Sequence, residues 1–85
     1  MGQHAVNIAY PIVGGTFPNY FTCSFSTTCP GGQNDVEWGF DNDTVGRATF
    51  YDQFSAQFSH KLLPGKHTFW VRSSCSSNEV TFEVT

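Results

Sequence analysis

The chain has 85 residues, of which 13% are charged, and a formal net charge of -3. That charged share is about half the ~25% of an average globular protein, and its four cations are scattered at 47, 61, 66 and 72, so no basic stripe exists for phosphates and nucleic acid is not an expected partner. No apolar run approaches the ~20 residues of a membrane-spanning helix, which argues against membrane insertion.

Nine Phe and seventeen Ser plus Thr, against two Leu and one Met, are the vocabulary of strands and turns. The length suits one domain, expected over residues 1–85, with 1–3 as an expression scar or linker of a module taken from a longer chain. Seven segments read as strands. "AVNIAY" (5–10) is closed by Pro11 and the Gly14-Gly15 pair. "YFTCSFST" (20–27) alternates Phe21, Cys23 and Phe25 with polar neighbours, and "CPGGQND" turns the chain. "DVEWGF" (35–40) puts Val36, Trp38 and Phe40 on one face, and "DND" turns into "VGRATFY" (45–51).

"FSAQFSH" (54–60) places Phe54, Ala56, Phe58 and His60 on one side. After Pro64-Gly65, "HTFWVRSS" turns Phe69 and Val71 inward with Thr68, Trp70 and Arg72 outward, and "EVTFEV" buries Val80, Phe82 and Val84. Short strands with turn chemistry every 8–12 residues predict an all-β sandwich. Its core would be Phe21, Phe25, Trp38, Phe40, Phe54, Phe58, Phe69 and Phe82.

Asp41 with Val45-Gly46, then Leu63, Gly65, His67 and Val71, then Val80, Phe82 and Val84 form a pattern that resembles the second half of a bacterial immunoglobulin-like domain; "IAYPIVGGTF" resembles its opening. The resemblance implies a seven-stranded antiparallel immunoglobulin-like β-sandwich, carried as a non-catalytic accessory module of an extracellular or cell-surface protein. Such a module would act as spacer, stabiliser or adhesion unit, with neighbouring domains as partners. The positions that carry the resemblance are turns and core, which identify fold rather than function.

Three cysteines allow one intrachain bridge. In a seven-strand order the second and sixth strands run the same way, so Cys29 and Cys75 at their ends form the preferred pair. Cys23 with Cys75, and Cys23 with Cys29, remain alternatives. A bridge implies an oxidising compartment.

No local signature of nucleophilic catalysis is present, and no cofactor is implied. No Cys-x-x-Cys or Cys/His cluster marks a metal site. The oxygen-rich "DND" suits a hairpin turn better than calcium. The exposed aromatic Trp70 has two readings. It can cover bare backbone at Gly39 on the neighbouring strand, flanked by a Glu37–Arg72 pair. Alternatively, with Arg72, Glu37 and Glu83 as polar partners, it can be the platform of a carbohydrate-binding module of a glycoside-active enzyme, or an anchor for a cell-surface protein.

Overall fold

The computed structural model describes residues 5–85; the expected scar or linker at 1–3 lies outside them. The described residues form β1 (Ala5–Tyr10), β2 (Thr16–Phe17), β3 (Tyr20–Phe40), β4 (Asp43–Lys61), β5 (Gly65–Ser73) and β6 (Ser77–Val84), with no helix among them. All-β architecture is thus as read from the sequence. The seven antiparallel segments become six strands of a mixed sheet, curled into a half-barrel, in the order β1-β3-β5-β6-β2 with β4 against the other edge of β3.

Two differences account for this. First, 20–27 and 35–40 belong to one strand, as do 45–51 and 54–60. Residues 30–32 form a bulge, since Cys29 faces Asp52 while the next pair is Gln33 with Tyr51. Gly31 (φ 86°) and Gly32 (φ 71°) adopt the left-handed backbone that makes the excursion possible. The three extra residues are an odd number, so the inward parity flips, from Phe21, Cys23, Phe25, Thr27 and Cys29 to Val36, Trp38 and Phe40. Asp52 (φ 65°) bends the partner strand at the same level.

Second, the segment between β1 and β3 adds β2. Thr16 and Phe17 pair with Glu83 and Val84 of β6 in parallel. Hydrogen bonds from Gly14 N to Thr81 O, Glu83 N to Gly15 O and Thr85 N to Phe17 O seat it.

The core lies in the concavity. Phe21 meets Phe82 edge-on at 5.4 Å, Phe40 packs on Phe69 at 5.0 Å, and Phe25 joins Phe69 at 6.0 Å. Trp38, Phe54 and Phe58, expected in the core, are only half-buried and lie at its margin, while Phe50 is buried. The reason is their place beside β4, whose far edge has no strand to cover it.

Cys29 and Cys75 are bridged, their Cα atoms 6.0 Å apart, fastening the end of the first half of β3 to the β5–β6 turn. Cys23 is a buried free thiol, which burial pushes up to about 12. The bridge fits an oxidising environment. No helix among the described residues is long and apolar enough to cross a membrane.

Candidate functional site

The outer face of β3, β5 and β6 carries the residues singled out in the sequence. Antiparallel pairing sets Glu37 opposite Arg72 and Gly39 opposite Trp70, and across the next ladder Trp70 opposite Glu79 and Thr68 opposite Thr81. Strand periodicity then brings Glu37, Trp70 and Arg72 into one group. Glu83 is not part of it: it faces Lys66 and borders Thr16 of β2, four residues beyond Glu79 along β6.

The half-buried indole of Trp70 lies over Gly39. A Cβ placed there would stand 2.7 Å from the ring and collide with the Asp43 carbonyl oxygen. Its Nε1–H donates to the Asp41 carbonyl at 2.9 Å, and the Arg72 guanidinium sits 4.9 Å from the ring centroid. Arg72 in turn donates to Glu37 Oε2 at 3.1 Å, while Arg47 of β4 approaches Oε1 at 3.6 Å. Glu37 on the central strand is therefore bracketed by arginines from both neighbours. With Arg47 74% and Arg72 62% exposed, the pairs are solvent-screened and contribute only tenths of a kcal/mol each.

Beside this ladder runs an open groove of about 540 Å³ walled by Asp35, Glu37, Arg47, Thr49, Arg72 and Ser74. Its volume falls within the ~300–1,000 Å³ of ligand sites. Its polar groups are largely committed: Thr49 donates to Asp35 at 3.2 Å, and Ser74 Oγ accepts from Asp35 N at 2.8 Å.

Behind Trp70 stands Asp41. Its left-handed backbone (φ 55°) makes the β3–β4 turn, as expected of "DND". Asp41 Oδ1 accepts from Thr68 N at 3.0 Å and Oδ2 from His67 Nδ1 at 2.7 Å, and Asp41 N donates to Thr68 O at 2.8 Å. His67 Nε2 donates to the Leu63 carbonyl at 2.8 Å. Both ring nitrogens face acceptors, an arrangement that suits the doubly protonated ring.

The hydrogen bond to Asp41 raises the His67 pKa above its ordinary value; partial burial opposes this, and the Leu63 carbonyl and the Asp41 charge reinforce it. Partial burial works to raise Asp41, but the His67 and Thr68 hydrogen bonds and the imidazolium charge bring it below its usual value. His60 lies flat on Phe40 at 4.5 Å, and burial lowers its pKa.

The sequence reading missed Asp41 as the anchor of Trp70 and Arg47 as the second partner of Glu37. The direct facing of Arg47 and Glu37 depends on Val45 bulging out between the pairs Trp38–Gly46 and Gly39–Thr44, and the sequence shows that only as a β-branched residue next to a glycine. Among the described residues no group of three or more His, Cys, Asp or Glu is arranged to hold a metal ion. Compared with known proteins, the chain matches no family model, no curated protein and no solved structure.

Proposed function

We propose that this chain is a non-catalytic accessory module of a larger extracellular or cell-surface protein, with an immunoglobulin-like arrangement, serving to space and stabilise its neighbours. The observation that carries this reading is the engagement of Trp70. Its edge covers Gly39, its N–H is held by Asp41, and Arg72 lies over the ring. A sugar platform needs an open ring face and free polar groups beside it. Here Arg72 and Glu37 hold each other, and the indole N–H is taken by Asp41.

Other features agree. One curled sheet brings β1, the first half of β3 and the second half of β4 round to the remainder, with β5, β6 and β2, about a Phe-rich core, and this supports the immunoglobulin-like reading without separate layers. Extents of 40 × 24 × 19 Å give an elongated body suited to separating neighbours. Both ring nitrogens of His67 are taken by acceptors, which leaves none free to act as a base.

The test is electrophoretic retardation of the wild type and Trp70→Ala in gels loaded with cellulosic, xylan, mannan, pectic and chitinous polysaccharides, alongside thermal melts. The expected result is no retardation, with Trp70→Ala losing about 1 kcal/mol or more of stability because Gly39 is uncovered. Retardation by any of these polymers, abolished in a folded Trp70→Ala, makes the chain a carbohydrate-binding module and overturns the proposal.

A further inference from the structure

The strand β4 runs nineteen residues with β3 as its one neighbour among the described residues, so its outer backbone edge is unpaired along the whole length. Unpaired edges recruit other strands unless they are short, charged, bulged or interrupted by proline. The remaining edges here are shorter: β1 has six residues and ends at Pro11, and β6 has eight, of which β2 covers Glu83 and Val84. The first half of β4 is protected by the bulge at Val45, the charge of Arg47 and the bend at Asp52. From Gln53 to His60, "QFSAQFSH", it carries no Lys, Arg, Asp, Glu, Pro or Gly. On its inner side Phe54, Ala56 and Phe58 are only half-buried, because nothing covers the core margin at this edge.

We infer that this edge pairs with the same edge of a second copy of the chain, antiparallel and across a two-fold axis at Ala56, joining two half-barrels into one continuous sheet. The segment is complementary to itself in that register. Phe54 faces Phe58 of the other copy on the inner side, and on the outer side Ser55 faces Gln57. Aromatic pairs are favourable cross-strand neighbours, and no like charges meet. Moving the axis one residue, to Ser55 or to Gln57, separates the two Phe residues. An isologous contact of this kind closes on itself as a dimer. A single strand pair is a small interface, so the association is weak and concentration-dependent.

Sedimentation velocity and light scattering of the 85-residue chain over a concentration series test this. The wild type should approach twice the monomer mass as concentration rises. Ser55→Lys/Gln57→Lys changes two exposed side chains that face outward and sets Lys against Lys twice across the axis. It should weaken the dimer about tenfold or more with an unchanged melt in dilute solution. Ser55→Glu/Gln57→Glu should do the same, and an equimolar mixture of the two variants should restore dimer. A wild type that stays monomeric to its solubility limit overturns the inference. So does a dimer indifferent to both variants, or a mixture that fails to reassociate; an edge that instead captures only an unrelated extended peptide also counts against it.

Discussion

At the scale of single residues, Trp70 shows what alternation reveals and what it leaves out. The outward direction of its ring, and Gly39 and Arg72 beside it, follow from counting residues along two strands. The Asp41 carbonyl that receives its N–H does not, because that carbonyl is aimed by a left-handed turn residue. The same alternation places Trp38 in the core, yet it is half-buried, since period two gives the face and not the distance from an edge.

Thr27 is turned inward by such counting, which does not show whether its hydroxyl is satisfied there. It occupies an inward position between Phe25 and Cys29, is 1% exposed, and its Oγ1 finds no hydrogen-bond partner among the described residues. A buried orphan hydroxyl is unfavourable by about 1–3 kcal/mol. Thr27→Val, which keeps the β-branched shape, should therefore raise stability by about 1 kcal/mol in chemical denaturation. A loss of stability in that variant would mean that the hydroxyl is satisfied in solution.

At the scale of elements, strand identity was legible and strand continuity was not. The residues Pro30-Gly31-Gly32 serve a turn or a bulge equally well. What decides is whether the partner strand runs on past them, and β4 does so through Asp52. The β3–β4 turn at "DND" was legible because its function is local.

That turn is fastened to β5 by Asp41 and His67, and the fastening should respond to pH from both sides. The His67 pKa is raised by folding, so its contribution is complete below the ordinary value of 6.5 and is lost as pH rises through the higher folded value. The Asp41 pKa is lowered, so its contribution is complete above 3.8 and is lost as pH falls through the lower folded value. His60 acts oppositely to His67: held neutral by burial, it favours the fold above 6.5 and weakens it as pH falls through its lowered value. Melts of the wild type and His67→Gln across the acid-to-alkaline range should differ most in weakly acidic solution and converge towards alkaline pH. A constant difference at every pH would show that the ion pair contributes nothing.

At the scale of the whole molecule, a small domain depends on its cross-link. The Cys29–Cys75 bridge closes a sequence separation of 46 residues, for which chain entropy gives a stabilisation of about 4 kcal/mol. Cys29→Ala/Cys75→Ala should lose most of that in denaturant melts, a large share of the ~5–15 kcal/mol that holds a domain folded. A loss under about 1 kcal/mol would mean that the unfolded chain is already compact there. The buried Cys23 leaves this variant without an accessible thiol to re-pair. The expected cysteine pair is the one formed, but not through the expected strand directions: 20–27 and 35–40 are one strand, antiparallel to β5, and it is that pairing together with the bulge at 30–32 that brings Cys29 to the β5–β6 turn. The curl of the sheet was not legible, because it arises from bulges whose extra residues look like ordinary loop.

The two-residue strand β2 has a bearing out of proportion to its size. It runs parallel to β6, and three backbone hydrogen bonds tie 14–17 to 81–85. In a parallel pair the leading end of one strand and the trailing end of the other lie at opposite ends of the ladder. Tension entering from the chain before β2 and leaving after β6 therefore pulls along the strands and loads these three bonds together in shear. An antiparallel hairpin pulled from its open end would instead release its bonds one at a time, like a zip.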